Sequence, residues 1–223
     1  MIAFPRIEGK IIDYDIIAIG HMKWTIYFNE SSQNPPRGEP STCTSTLIRG
    51  RNHDGKPYNL IVDPTLCNDP KEYFFDLNRR TGLLPNEITH CFTTHEHKDH
   101  VAGLNYFPNA QWLAPKPVVK MLKNLDFIDN TRIKEVEGEF LPGLYSLPLP
   151  GHTYSQHGVA FIFKGRKVVV AGDSVITKYH FKNVTSNETI FEDDEEMAKS
   201  NIQWLKKVAD IIIPGHDNII INY

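Results

Sequence analysis

One short segment of the chain places four candidate metal ligands within six residues, directly after an apolar strand. The strand and the segment read ITHCFTTHEHKDH over residues 88–100, and the candidates are His95, His97, Asp99 and His100. Side chains alternate along a strand, so His95 and His97 share a direction, while a tight turn can aim Asp99 and His100 at a second point. This single segment can therefore serve two metal ions.

Three further candidate ligands each follow their own apolar run. They are His152 in LPLPGHT, Asp173 in VVVAGD and His216 in IIIPGH. Loops at the ends of rigid strands are where protein scaffolds commonly place functional groups. A single histidine is ordinarily a structural or exposed residue, but that interpretation does not account for the whole set. We therefore predict one metal centre built from four separate strand ends.

Strand-like segments dominate the chain, with helices interspersed. The helix after Pro70 can be capped by Asn68 or Asp69 and ends near Gly82, and Pro70 suits its first turn. Apolar residues recur at helical spacing in 191–209, and the acidic run 192–196 at its start is interpreted as solvated helix-end charge. Strands are predicted at 13–20, 23–28, 45–49, 59–64, 88–95, 110–115, 144–150, 157–165, 167–173 and 210–217, and a further helix at 118–125.

This element pattern predicts an α/β (α+β) fold in which two packed sheets carry helices outside, a four-layer αββα sandwich. No repeat or long linker divides the sequence, so residues 1–223 are expected to form a single domain. The net charge of −3 excludes a strongly basic nucleic-acid binder. Three cysteines without a CxxC pair favour a reducing compartment. No signal peptide or membrane span is expected, so a cytoplasmic location is predicted.

The ligand pattern HxHxDH…H…D…H resembles that of the metallo-β-lactamase superfamily, in full and in order. The resemblance includes Asp63, at a position where the family usually has an aspartate that supports the site, and Gly103 after the histidine cluster. It implies the metallo-β-lactamase fold and two divalent metal ions. Zinc suits this ligand set best, although manganese or iron is chemically allowed. The implied first site is His95, His97 and His152, the second is Asp99, His100 and His216, and Asp173 bridges them.

The resemblance also implies a hydrolase, because a metal pair lowers the pKa of a bound water and polarises the bond under attack. Asp99 would act as a catalytic residue that orients the water. The stretches THEHKDHVAGLNYFPNAQWL, VVVAGD and VADIIIPGHD are similar to the small group that includes the metallo-β-lactamase-domain-containing protein of animals. The favoured substrate is a small ester, thioester or lactone. The alternatives are a metal-dependent phosphodiesterase or ribonuclease and, less favoured, a non-catalytic metal-binding module.

Two segments are expected to shape the substrate site. Loop 29–42 would overhang the metals, and the aromatic residues before it would form an apolar wall or belong to the core. In segment 174–190, Tyr179 and His180 would donate a proton to a leaving group or hold a substrate carbonyl, unless the segment is a plain exposed loop. His157 is interpreted as a supporting or strand-start residue. The aromatic residues are Trp24, Tyr27 and Phe28, and the histidines without ligand context are His21, His53 and His90.

The expected partner is a small-molecule substrate, with no membrane contact; a homodimer is left open. RNA is an unfavoured alternative, because the lysines that could touch phosphates recur at helical spacing and are better explained as a solvated helix face. These are Lys116, Lys120 and Lys123.

Overall fold

Two six-stranded sheets form the centre of the computed structural model, which describes residues 3–21, 42–67, 69–183 and 193–222. The first sheet contains, in spatial order, β1 (Ile11–Ala18), β2 (Ser45–Arg51), β3 (Pro57–Val62), β4 (His90–Phe92), β5 (Gln111–Pro115) and β6 (Ile133–Val136). The second runs, in the reverse of chain order, through β12 (Ile220–Ile221), β11 (Ile211–Pro214), β10 (Arg166–Gly172), β9 (His157–Phe163), β8 (Leu144–Pro148) and β7 (Gly138–Leu141).

Alternating apolar residues give each sheet two buried faces. In β3, Leu60 and Val62 belong to the core between the sheets, whereas Ile61 belongs to the outer core of the first sheet. In β10, Val168 faces the shared core and Val169 the outer core of the second sheet. Successive strand side chains point to opposite faces, so continuously apolar strands can be covered on both sides. The two inner faces therefore pack on each other.

Helices cover the two outer faces. On the first sheet lie α1 (Pro70–Thr81) and α3 (Lys116–Leu122), and on the second lie α4 (Lys178–Lys182) and α5 (Glu195–Val208). The short α2 (Lys98–Val101) follows the histidine pair. Asp69 caps α1 by accepting from the amide of Lys71, which settles the choice between two predicted caps. The α+β architecture with four αββα layers is confirmed. Among the described residues, no helix has the length and apolarity to cross a membrane.

The segment 133–141 was not predicted as strand, and the structure places an edge strand in each sheet there. Strand β6 closes the edge of the first sheet and β7 that of the second. The sequence IKEVEGEFL is rich in glutamate, and charged side chains are typical of edge strands. Gly138 has a φ of 63°, a left-handed conformation that favours glycine where the chain crosses between the sheets. The acidic composition therefore concealed the strand periodicity.

Several predicted boundaries differ from the structure. The strand predicted over 88–95 spans only His90–Phe92, because the chain then leaves the sheet. Residues 93–97, which carry His95 and His97, form the segment called here the histidine loop. The helix predicted over 118–125 is Lys116–Leu122, since Pro117 sits in its first turn. The helix predicted from 191 begins at Glu195, where Asp194 caps it by accepting from the amide of Met197. The short β12, α2 and α4 were not predicted, and the predicted strand 23–28 lies outside the described residues.

Gly103 packs where no side chain fits, which gives the first testable prediction. A Cβ at this position would overlap the carbonyl oxygen of Pro64 and approach that of Thr65 to 2.8 Å. Backbone must move to relieve this contact, so Gly103→Ala is expected to lower the free energy of unfolding by about 1–3 kcal/mol. Urea denaturation measures it.

Gly165→Ala provides a comparison for the Gly103 substitution. Gly165 has a φ of 77° and nothing within 4 Å of a built Cβ, so only backbone strain of about 1–2 kcal/mol is expected there. If Gly103→Ala were as stable as the wild type while Gly165→Ala was destabilised, the tight packing of Gly103 against Pro64 and Thr65 would be contradicted.

Candidate metal centre

The predicted ligands come together at one edge of the sandwich because the strands that carry them point the same way. Strands β3 and β4 are parallel, as are β10 and β11, and β8 runs in the direction of β10 because each is antiparallel to β9. Carboxyl ends of parallel strands meet at one sheet edge, where loops can share a site. The seven candidates, which follow β4, β8, β10 and β11, are His95, His97, Asp99, His100, His152, Asp173 and His216.

The first group of candidate ligands contains three imidazoles and a carboxylate. His95, His97, His152 and Asp173 offer ligand atoms that all lie within 4.8 Å of one another. The Nδ1 atom of His97 is 3.1 Å from Nε2 of His152, although the residues are 55 positions apart. A cation between such nitrogens would be coordinated by loops from both sheets. This set matches the first metal site that the family resemblance implies.

The second group contains Asp99, His100 and His216, also within 4.8 Å of one another. Oδ2 of Asp99 is 3.6 Å from Nε2 of His216. Asp99 lies in the first turn of α2, and His100 is fully buried in the next position. The turn after His97 thus redirects these side chains as the sequence predicted.

Asp173 belongs to the first group and also contacts two imidazoles of the second. Its Oδ2 is 3.3 Å from Nε2 of His152 and 3.3 Å from Nε2 of His216, while its Oδ1 is 3.2 Å from Nε2 of His100. A carboxylate has two oxygens with several lone pairs, so it can serve both groups at once. This position fits the predicted bridging role.

A buried hydrogen-bond network holds two of the imidazoles in one tautomer. The Asp63 carboxylate accepts from the amide of Thr94 at 2.8 Å, from the Thr94 hydroxyl at 2.7 Å and from Nδ1 of His100 at 2.9 Å. Because the Thr94 hydroxyl donates to Asp63, its oxygen is left to accept from Nδ1 of His95, 3.1 Å away. In its neutral form, each ring therefore carries its lone pair on Nε2, where a metal ion can bind.

The third ring with a fixed tautomer is that of His216. Its Nδ1 lies 2.9 Å from the carbonyl oxygen of Thr42 and can only donate to it. In the neutral ring, Nε2 then carries the lone pair, and it lies 3.3 Å from Oδ2 of Asp173. Three groups thus orient the ligand nitrogens: Asp63, Thr94 and the Thr42 carbonyl. Of these, only Asp63 was identified from the sequence.

The chemistry of the centre calls for a cation. Among the described residues, the buried Nε2 atom of His95 has no hydrogen-bond partner. Burial lowers the pKa of His95 well below its usual range, so its ring is neutral. Burial opposes ionisation of Asp173, but the positive charge of protonated His216 and His100 outweighs it and holds the pKa of that carboxyl well below normal. A divalent metal ion would supply this positive charge in place of the two protons, and it would bind the Nε2 lone pairs that they leave.

The centre is open to solvent on one side. His97 is exposed, whereas the other ligand histidines are buried. The Asp99 side chain keeps 18% of its surface accessible. A substrate can therefore reach the centre past His97 and Asp99.

Tyr179 and His180 lie on α4, so the alternative of a plain exposed loop is wrong for this part of 174–190. Tyr179 is 43% exposed, whereas His180 is buried and its Nδ1 accepts from the amide of Ile176. Burial lowers the pKa of His180 to about 4, opposed by the charge of Asp173. A neutral ring with its proton on Nε2 can donate a hydrogen bond but is a poor acid. At neutral pH, His180 is therefore a hydrogen-bond donor and not a source of a proton for a leaving group.

The other sequence candidates lie apart from the ligand groups. His157 is the first residue of β9, and its Nδ1 donates to the carbonyl of Ser155 at 2.7 Å. His53 is exposed, and His90 stacks edge-on with Tyr58. His21 bonds Thr42. The lysines Lys116, Lys120 and Lys123 are exposed on or just after α3, as a solvated helix face requires. Loop residues 29–41, with Trp24, Tyr27 and Phe28, lie outside the described residues.

Sequence comparisons identify relatives over most of the chain. Residues 38–216 match the sequence model of the metallo-beta-lactamase superfamily. A metallo-beta-lactamase domain-containing protein 1 of Xenopus laevis is 32% identical over 176 residues, which cover 77% of this chain and 69% of that protein. An N-acyl homoserine lactonase of a Bacillus species is 30% identical over 154 residues, 62% of this chain and 60% of the lactonase.

Solved structures show the same fold. A candidate metallo-β-lactamase of Thermotoga maritima superposes with a TM-score of 0.70 at 15% identity, covering 94% of this chain and 98% of that one. An N-acyl homoserine lactone hydrolase, with N-hexanoyl-L-homoserine bound at its catalytic metal centre, superposes with a TM-score of 0.64 at 18% identity, covering 95% and 94%.

Proposed function

Because this chain belongs to the metallo-β-lactamase superfamily of hydrolases, we propose that it is a dinuclear metal-dependent hydrolase of a small ester, thioester or lactone. The observation that carries the proposal is the convergence of seven ligand side chains into two groups around Asp173. Zinc is the first metal to test, since imidazole-rich sites suit it. The lactonase relative favours a lactone within this substrate class. The proposal takes residues 1–223 as one domain, supported by the core that both sheets share.

Each group in the site has a chemical task in this proposal. Two bound cations would lower the pKa of water and polarise the substrate carbonyl. Asp99 is partly exposed beside His216, so its carboxylate is placed to accept a hydrogen bond from the attacking water and orient it. Nε2 of His180 would donate to the substrate oxygen, and the exposed Tyr179 ring would border the substrate. The roles of Tyr179 and His180 should be tested separately, by mutating each residue on its own.

The proposal is tested by metal analysis together with a substrate panel on the purified protein. Reconstitution is expected to give two equivalents of zinc or manganese, and hydrolysis of an acyl homoserine lactone, p-nitrophenyl butyrate or a thioester is expected to vanish on chelation and return with metal. His53→Ala is a control, because this histidine is exposed and outside both ligand groups. Less than one equivalent of metal would refute the metal centre.

The same panel includes bis-p-nitrophenyl phosphate and single-stranded RNA. Metal-dependent cleavage of these alone would replace the acyl substrate class with the phosphodiesterase or ribonuclease alternative. A full metal content without turnover of any substrate would instead favour the non-catalytic metal-binding module.

A further inference from the structure

Glu96 stands between two candidate ligands, yet it belongs to neither ligand group. Its Oε2 accepts a hydrogen bond from the Ser155 hydroxyl and lies 3.5 Å from that of Thr153. The two hydroxyl oxygens are 3.0 Å apart, and both residues are only 4% exposed. The half-buried glutamate thus contacts two buried hydroxyls from a distant part of the chain.

Those hydroxyls belong to the loop that carries His152, residues 149–156 between β8 and β9, called here the His152 loop. This loop is a compact turn, in which Gly151 and Gln156 both donate backbone hydrogen bonds to the carbonyl of Thr153. Movement of Thr153 therefore moves His152, its neighbour in sequence. One backbone bond, from His157 to Thr94 at 3.0 Å, also joins this loop to the histidine loop. Glu96 adds a side-chain link at the level of the ligands themselves.

One residue can support a site that its sequence neighbours line. His95 and His97 belong to the first ligand group, whereas Glu96 between them contacts the Thr153 and Ser155 hydroxyls instead. The first ligand group is thus assembled from two loops, and the glutamate joins those loops behind it.

We propose that Glu96 is a positioning residue that holds the His152 loop against the histidine loop and so sets the metal affinity of the first ligand group. This inference rests on the proposed function only in requiring that His95, His97 and His152 hold a cation. Groups that support metal ligands from behind typically change affinity by about 10–100-fold when removed. The second ligand group, which consists of Asp99, His100 and His216, contains no residue of the His152 loop. Its metal affinity should therefore not depend on Glu96.

The test compares metal affinity in two backgrounds that each retain one ligand group. In His216→Ala, the remaining cation sits in the first group, and adding Glu96→Ala is expected to weaken zinc binding by about 10–100-fold in a chelator competition assay. In His97→Ala, the remaining cation sits in the second group, and the same substitution is expected to change affinity by less than about 3-fold. Equal losses in both backgrounds, or no loss in either, would overturn the proposal.

Conservative and partner variants separate positioning from general destabilisation. Glu96→Gln keeps one acceptor oxygen, so its zinc affinity is expected between those of the parent and Glu96→Ala. Ser155→Ala should weaken binding on its own and add little to Glu96→Ala, since both remove one contact. Additive effects of Glu96→Ala and Ser155→Ala would contradict the link between the loops.

Glu135→Ala is the matched control, because Glu135 is exposed on the edge strand β6. It should leave zinc affinity unchanged, and thermal unfolding of all variants in chelator reports whether any loss comes from the fold. Failure of the proposed function would give a different result. If the wild-type protein bound one ion instead of two, the dinuclear centre would be refuted. The effect of Glu96→Ala on the affinity of an ion in the first ligand group could still be measured.

Discussion

Asp173→Ala is expected to remove high-affinity metal binding at both positions at once. The carboxylate is the one ligand candidate with oxygens 3.2–3.3 Å from imidazoles of both groups, His152 on one side and His100 and His216 on the other. Its removal should weaken zinc binding at each of the two metal positions by more than about 100-fold. This loss exceeds the roughly 10–100-fold that is typical when a residue supporting a ligand is removed. Hydrolysis should fall with metal content. Metal analysis after gel filtration and chelator competition measure the effect.

The comparison variants for this prediction are His97→Ala and Asp76→Ala. His97 belongs to the first group alone, so its loss should spare one equivalent of metal. Asp76 pairs with Arg79 on the surface of α1, so its removal should leave both equivalents in place. Two full equivalents in Asp173→Ala would exclude the bridging role.

Asp63→Asn is expected to cost both stability and metal affinity. Asp63 is 1% exposed and accepts hydrogen bonds from Thr94 and His100. An asparagine at this position would replace one accepting oxygen with an NH₂ group, which cannot accept the hydrogen bonds made there. Leaving them unsatisfied should lower the free energy of unfolding of the metal-free protein by about 2–4 kcal/mol. For a chain of this size that is a fall in Tm on the order of 5–15 °C.

Asparagine is the informative replacement because the backbone at Asp63 is left-handed. Its φ is 51°, a conformation that asparagine adopts readily and that costs alanine about 1–2 kcal/mol. Lys164, with a φ of 49°, offers a control, since Lys164→Asn tests the backbone conformation without a buried network. Zinc affinity of the second group should also weaken by about 10–100-fold, because His100 loses its orienting partner. A metal-free Asp63→Asn protein as stable as wild type would refute this account.

The fold class was predictable because strand and helix periodicities are local. The apolar run 167–173 indicates a strand and the run 210–217 a doubly covered strand, and the structure pairs β10 and β11 in parallel. The segment 133–141 was missed for the same reason, since a glutamate-rich edge strand lacks a local apolar pattern. The helix α4 was missed because five residues give no periodicity to read, and the burial of its Phe181 depends on packing against the second sheet.

The candidate site divides along similar lines. Spacing within 95–100 and the position of His152, Asp173 and His216 after apolar runs single out the ligand candidates, and the structure brings all seven together. The supporting groups were not visible, apart from Asp63. Thr94, Glu96 and Ser155 are common residue types, and nothing in their sequence neighbourhood distinguishes them.

The sequence by itself determined the two-sheet fold, the superfamily and the set of side chains available to bind metal, because each depends on short-range patterns. Only the tertiary structure decided how those side chains are divided, with Asp173 between two groups and Asp63 behind His95 and His100. It also decided which loops Glu96 joins. These relations link residues as far apart as Asp63 and His100 or Thr42 and His216, and the order and direction of strands in the two sheets set such distances.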